Sequence, residues 1–254
     1  MADRTYGSLR KREKTMMQVS KSSDRFHTMI GWLDSHHSFS FGEHYDPKRL
    51  GFRNLRVINE DKVSAGQGFG THGHKDMEIV SYVVEGALGH KDSMGTNGTI
   101  VPGEIQRMSA GSGVLHSEMN HGKTAPVHFL QIWLLPNKKG STPGYAQKAF
   151  PAEAKQNALV KLLSGDGDRD GDHADGSVGI GADADLYATL LDEGRSVIAP
   201  MTRSGHGWVQ VIKGAVRIDG TVLNAGDGAA FSDVKSVELT GVAGFSEVIV
   251  FDLA

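Results

Sequence analysis

The chain has 254 residues, 27 basic and 30 acidic side chains, a formal net charge of -3 and a pI near 6.4. That length accommodates one large domain or two average ones with real cores, and the near balance of charge excludes an electrostatic pull on nucleic acid or an anionic membrane. There is no cysteine, which excludes disulfides, thiolate ligands and a cysteine nucleophile and leaves His, Asp, Glu, carbonyls and water as the only metal donors.

The first 25 residues are polar and basic, with Arg10-Lys11-Arg12 and Lys14, and read as a flexible arm over residues 1–26. The arm has no apolar stretch of signal-peptide length, and no run in the chain approaches the ~20 apolar residues of a membrane span. A soluble, cytoplasmic protein is expected. Short apolar runs then follow one another, punctuated by many of the 33 glycines. Strands are predicted at Leu55–Ile58, Met77–Val84 and Val127–Leu135, the last stopped by Pro136-Asn137. Others are predicted at Tyr187–Leu191, Ser196–Ile198, Trp208–Ile212, Ala215–Ile218, Val237–Leu239 and Glu247–Phe251. The one helical pattern is Pro151–Leu163, where Ala152, Ala154, Leu159, Leu162 and Leu163 could share a face. Strands of four to eight residues at short spacing predict an all-β sandwich or barrel.

A weak internal repeat points to two such units. Ser81-Tyr-Val-Val-Glu-Gly-Ala-Leu88, a turn and Met108-Ser-Ala-Gly111 resemble Val209-Gln-Val-Ile-Lys-Gly-Ala-Val216, a turn and Leu223-Asn-Ala-Gly226. The second copy lacks the histidines of the first; His206 is its only nearby imidazole. One domain with a polar site over residues 27–145 and one without over 146–254 are expected, with the boundary between about Pro136 and Tyr187.

The chemistry concentrates in two short motifs. Residues i and i+2 of a strand point to one face, so His72-Gly73-His74 aims two imidazoles into one space and His116-Ser117-Glu118 adds an imidazole and a carboxylate. The 41 residues between them suffice for hairpins that bring the second strand beside the first. Three His and one Glu suit one divalent transition metal, Fe(II), Mn, Ni, Cu, Co or Zn. On an octahedral ion they would leave two adjacent positions for water, substrate oxygen or O2, an open rather than a merely structural site.

Other candidates are read more blandly. His36 and His37 face opposite ways on a strand and are expected to be satisfied core imidazoles. His90 and His121 are assigned to turns. Alternation puts Phe129, Gln131 and Trp133 on one face and His128, Leu130 and Ile132 on the other. Phe69, Met119 and Phe129 are expected to wall a pocket, and Lys75 and Asp76 to be solvated. Asp166-x-Asp168-x-Asp170-Gly171 opens like an EF-hand loop, but its twelfth position is Ser177, so a solvated connection between domains is preferred. No G-x-S-x-G elbow supports a Ser-His-Asp hydrolase.

Gly66-x5-His72-x-His74-x3-Glu78-x7-Gly86 resembles the first motif of the cupin superfamily, with one extra residue before the last Gly. Gly113-x2-His116-x3-Asn120 resembles the second, although Gly111 stands where proline is usual. The segments Gly31-Trp-Leu-Asp-Ser-His-His-Ser-Phe-Ser-Phe41, Tyr45-Asp-Pro47, Leu55-Arg-Val-Ile-Asn59, Gly66-Gln-Gly-Phe-Gly-Thr-His-Gly-His-Lys-Asp-Met-Glu-Ile79, Asp92-Ser-Met-Gly95, Met108-Ser-Ala-Gly111, His116-Ser-Glu118 and Gln131-Ile-Trp133 together resemble pirin. The C-terminal half is similar more diffusely, through Val209-Gln-Val-Ile-Lys-Gly214 and Phe251-Asp-Leu253.

This resemblance implies a bicupin: two β-barrel jelly-roll domains face to face, with metal, Fe(II) by expectation, only in the first. It also bears on the fourth ligand. The general cupin pattern puts the carboxylate at Glu78, whereas the pirin pattern puts it at Glu118. Both spacings are even, so strand geometry leaves the two open; the resemblance favours Glu118, with Glu78 orienting an imidazole. Some pirin-like proteins are quercetin 2,3-dioxygenases. The implied function is therefore oxidative opening of a flavonol-like aromatic with O2 and loss of carbon monoxide, Glu118 taking the proton of the 3-hydroxyl. The alternative is a non-enzymatic regulator that senses metal or redox state and binds a protein partner. An open apolar cavity at the metal would favour the enzyme; a sealed site would favour the regulator.

Overall fold

The computed structural model describes residues 16–171, 173–242 and 244–254; residues 1–15 of the predicted arm lie outside the described residues. Two β-sandwiches follow one another, each made of a seven-stranded and a four-stranded sheet. In the first, the large sheet runs in the order Gly144–Ala149, Glu104–Ser109, Glu78–Glu85, Val127–Leu134, Leu55–Val63, Leu33–His37, Phe26–Ile30. The small sheet runs Gly68–His74, Val114–Met119, Leu88–Asp92, Asn97–Ile100. In the second, the large sheet runs Met16–Ser20, Gly228–Ser232, His206–Lys213, Phe245–Leu253, Ala184–Asp192, Val160–Ser164, Val178–Gly179. Its small sheet runs Ser196–Pro200, Ser236–Gly241, Ala215–Ile218, Thr221–Asn224. This is the expected bicupin, and the matching strand orders are the structural basis of the internal repeat.

The structure corrects the repeat in one place. Glu85-Gly86 and Lys213-Gly214 do turn equivalent hairpins, with φ of 81° and 70° at the two glycines. The Ala225-Gly226 corner, however, follows Thr221–Asn224, whose counterpart is Asn97–Ile100. Its equivalent in the first domain is thus Pro102-Gly103, not Ala110-Gly111, one strand later. Similar composition at successive corners aligns the wrong pair.

Three further expectations change. Only Ala152–Lys155 of the predicted Pro151–Leu163 helix is helical; Val160–Ser164 pairs with Ala184–Asp192 instead, because its leucines are buried in a sheet layer. The predicted boundary at 145/146 falls within Gly144–Ala149, which closes the first large sheet against Glu104–Ser109. Conversely, Met16–Ser20, within the stretch read as an arm, pairs with Gly228–Ser232 in the second domain. There the buried Asp227 carboxylate holds it, accepting from the Ser22 backbone N–H at 2.7 Å and from Lys21 Nζ at 2.9 Å.

The two large sheets pack outer face to outer face. Val80, Tyr82, Ile105, Leu130 and Ile132 of one meet Leu186, Trp208, Ile212, Ile249 and Phe251 of the other in a single apolar cluster. Central strands are therefore buried on both faces, which is why Glu78–Glu85 and Val127–Leu134 read as unbroken apolar runs. Polar contacts fix the register of the halves. Tyr82 Oη donates to Glu247 at 2.7 Å, and the fully buried Arg107 donates through Nε to the Gly179 carbonyl at 3.1 Å and through Nη2 to Asp170 at 2.9 Å.

The interior of the second barrel is apolar among the described residues. Where His72 pairs with His116 in the first small sheet, the second pairs Val197 with Leu239 and Ala199 with Val237. These side chains pack with Met201, Val209 and Val211 into a closed core. Trp208 seals the seam between domains, its ring 5.0 Å from that of Phe39. Trp208→Ala is expected to lower unfolding free energy by about 3–5 kcal/mol while leaving metal stoichiometry unchanged, as read by denaturant titration beside metal analysis; loss of metal alone would contradict the separation of seam and site.

Candidate metal centre

Gly68–His74 and Val114–Met119 lie side by side in the small sheet, and their register sets His72 directly opposite His116. Alternation brings His74 to the same inner face. The ligand atoms of His72, His74 and His116 all lie within 4.8 Å of one another. The Nε2 atoms of His72 and His116 are 3.1 Å apart, and Nε2 of His74 is buried without a partner. His72 Nδ1 donates to the Gly70 carbonyl at 2.8 Å, which fixes the tautomer with the lone pair on Nε2, facing the others. Three converging nitrogens, one of them orphaned, fit a divalent metal ion.

Electrostatics agree with that role. Burial, with the neighbouring His72, lowers His74 to a pKa of about 4. Burial, then His72 and His74, lowers His116 to about 3. Both rings are neutral ligands well below the usual range of imidazole.

Glu118 stands apart from this trio. Its side chain is buried in the same barrel, but its carboxylate is not among the groups within 4.8 Å of the three imidazoles. It accepts from Gln131 Nε2 at 2.7 Å and from Ser81 Oγ at 3.2 Å. The strand pairing slips between His116 and Glu118, opposite Gly70-Thr71. Just beyond this bulge Gly68 is obligatory, because a Cβ there would collide with the Glu118 carbonyl. Burial and the nearby Asp61 raise the Glu118 carboxyl to about 7.

Glu78 is corrected outright. The chain breaks after His74, with Asp76 in the left-handed region at φ 51°, so the even spacing from His74 carries no parity across to the next strand. Glu78 begins a strand of the opposite, large sheet and points out of the barrel. There it accepts from Ser109 at 2.7 Å and lies against Gly181 of the second half. It orients no imidazole.

A cavity of about 590 Å³ opens onto His72 and His74. Leu33, Phe41, Phe69 and Trp133 supply much of its apolar wall, and the exposed Met29 and Ile30 stand at its mouth. Phe69 lines this cavity. Met119 and Phe129 do not: Phe129 is fully buried in the core with Val63 and Val83, and Met119 lies beyond the bulge beside Gly68. His90 is no turn residue either; it is buried in Leu88–Asp92, bonded to Asp92 at 2.9 Å. The acidic Asp166–Asp170 loop pairs with arginines, Asp166 with Arg203 and Asp170 with Arg107 and Arg169.

Sequence reasoning missed the polar side of the cavity: Ser35, His37, Asn59, Asp61 and Gln131. His37 is buried, as expected, but it is also a wall residue; His36 lies on the other face, stacked on His27. Burial raises Asp61 to about 7. The available signal was polar side chains set inside otherwise apolar strands, as at Asn59 and Asp61 after Ile58 and at Gln131 between Leu130 and Ile132.

Comparison with known proteins agrees with this architecture. The Pirin family model matches residues 17–134, and the Quercetinase C-terminal cupin domain model matches residues 169–253. The crystal structure of the bacterial pirin YhhW from Escherichia coli in complex with nickel(II) superposes with a TM-score of 0.86 at 42% identity, covering 94% of this chain and 99% of that one. The chain belongs to the pirin family. Quercetin 2,3-dioxygenase of Escherichia coli K12 is 42% identical over 239 residues, 94% of this pirin and 99% of the relative. A quercetin 2,3-dioxygenase from Acinetobacter baumannii is 23% identical with a TM-score of 0.67, over 90% of this chain and 83% of that one, and shares the fold. No helix among the described residues is long and apolar enough to cross a membrane.

His72, His74 and His116 could hold a divalent metal ion, and the depressed His74 and His116 would set the pH dependence of its binding. A lowered His pKa keeps the lone pair free as pH falls, so protons displace metal only near the folded pKa values. Metal content after dialysis is expected to persist at about pH 5.5, where ordinary imidazole is largely protonated, and to be lost near about pH 3.5. Substituting His72, His74 or His116 by Ala should weaken metal binding more than about 100-fold.

Proposed function

We propose that this chain is a cytoplasmic, iron-dependent dioxygenase that opens flavonol-like aromatics with O2, its ion held at His72, His74, His116 and Glu118. The observation that carries the reading is the cavity: a largely apolar space of about 590 Å³ that opens from the surface directly onto two of the imidazoles. Its size falls within the roughly 300–1,000 Å³ of small-molecule sites. A regulator with its metal sealed by protein would not need such an opening. The name borne by a relative 42% identical over nearly its whole length supports the same chemistry.

The bound ion would supply a Lewis acid that favours the deprotonated form of a phenolic oxygen. The protein's own part is acid–base and steric. Glu118 is the carboxyl placed to take the hydroxyl proton; burial lifts it to about 7 before an ion is bound, and a bound ion would lower it towards the carboxylate form that can act as a base. Gln131 and Ser81 hold its carboxyl group in place, and Glu118 would complete the ligand set of a bound ion. Trp133 packs edge-on against His74, ring centroids 4.9 Å apart, and provides a flat wall for an aromatic substrate beside the ligand.

Anaerobic reconstitution with Fe(II), Mn, Ni, Cu or Co, followed by quercetin and O2, tests the reaction. Loss of the flavonol absorption band, fastest with Fe(II), is expected; no loss with any metal would sink the proposal. Glu118→Gln should lower kcat by about 100-fold or more, whereas Glu78→Gln should leave metal stoichiometry intact. The reverse pattern would return the fourth ligand to Glu78.

A further inference from the structure

The polar residues in the cavity are not scattered. On the inner face of the large sheet, Ser35 stands opposite Asp61 and His37 opposite Asn59, so four polar side chains form a square on two neighbouring strands. Asn59 in turn stands opposite Gln131. The square is internally bonded: Ser35 donates to Asp61, His37 Nδ1 meets Asn59 Oδ1 at 2.8 Å, and His37 Nε2 meets Thr28 Oγ1 at 3.0 Å. All four line the same cavity as His72 and His74. Their mutual hydrogen bonds offset the cost of burying them, and the second barrel fills its interior with apolar side chains instead.

A continuous aromatic wall joins this square to the metal site. Ring centroids step from His74 to Trp133 in 4.9 Å, to Phe41 in 5.4 Å and to His37 in 5.3 Å. The cavity thus carries imidazoles, a flat apolar wall and a polar patch whose Asn59 and Asp61 lie towards Gln131 and Glu118. We infer that the Ser35–His37–Asn59–Asp61 square binds hydroxyl groups of an aromatic ligand other than the one that meets the metal, and so selects polyhydroxylated, catechol-bearing aromatics over their unsubstituted analogues. The match is chemical: Asp61 and Asn59 Oδ1 each keep a lone pair that can accept a phenolic O–H group, while Ser35 and His37 hold the two acceptors in place. This inference rests on the reading of the cavity as a flavonol site, but it concerns binding alone and does not require turnover.

The test uses flavones that lack the 3-hydroxyl and so cannot be opened as flavonols. Binding to the metal-loaded protein is followed through tryptophan fluorescence, comparing a 3′,4′-dihydroxyflavone with unsubstituted flavone. The dihydroxy compound is expected to bind about tenfold more tightly or better. In Asp61→Asn/Asn59→Leu the preference should shrink to less than about threefold, with the unsubstituted flavone holding its Kd. Ser35→Ala is a milder second variant, expected to reduce the preference in the same direction. No preference in the wild type, which needs no variant to fold, would overturn the inference; so would a preference that survives both substitutions. If quercetin is not turned over but the preference holds, the dioxygenase reading fails and this one stands. Turnover without preference leaves the dioxygenase standing and removes the selective square.

Discussion

Everything in this molecule depends on the packing of the two large sheets against each other. That contact buries the outer faces of Glu78–Glu85 and Val127–Leu134, and it frees their inner faces from having to supply the whole apolar core. A lone sandwich of this size has one interior and must fill it with aliphatic side chains to be stable. Here the seam between the barrels, with Trp208, Phe39, Leu130 and Phe251, supplies a second core. The first barrel can therefore leave its interior open, lined by imidazoles, carboxyls and amides, while the second barrel's interior stays closed. The division of labour between the twin domains is a consequence of burial, and the Ala199–Val237 pair, at the register of the His72–His116 pair, is its local expression.

An open interior brings its own electrostatic constraint. Groups that face it are dry enough for their charged forms to be disfavoured, and burial is the largest influence on His74, His116, Glu118 and Asp61 alike. The same cause pushes the imidazoles down and the carboxyls up. Without an ion, the site rests with neutral rings and with carboxyls that hold protons up to near neutrality. A divalent cation reverses the balance by stabilising the carboxylate form and by using the lone pairs that desolvation preserved.

How much of this is legible in the sequence varies with the kind of information needed. The fold class is legible because apolar runs of strand length, cut by glycine turns, have few alternatives. The three imidazoles are legible because a period of two within a single strand is a local rule, and His72-x-His74 and His116 each obey it. Parity across a chain break is a different matter. Glu78 follows His74 at an even spacing, yet Asp76 at positive φ ends the strand, and nothing in the spacing says which sheet the next residue joins. The Val160–Ser164 strand reads as helix for a related reason: its leucines answer to a sheet partner far along the chain. Met119 and Phe129 fail as wall residues because depth in a barrel depends on a bulge and on neighbours across the sheet.

The polar square is the least legible feature, and the cause is physical. Ser35, His37, Asn59 and Asp61 lie on strands with ordinary alternation, and each alone reads as a satisfied buried polar residue. Only the register of Leu33–His37 against Leu55–Val63 assembles them. That register is set by hairpin geometry and by the apolar outer face, since a slip of one residue would send Ile58 inward and Asn59 into the seam between domains. The seam therefore does more than stabilise. By fixing which residues of each central strand face outward, it decides which polar groups face the cavity.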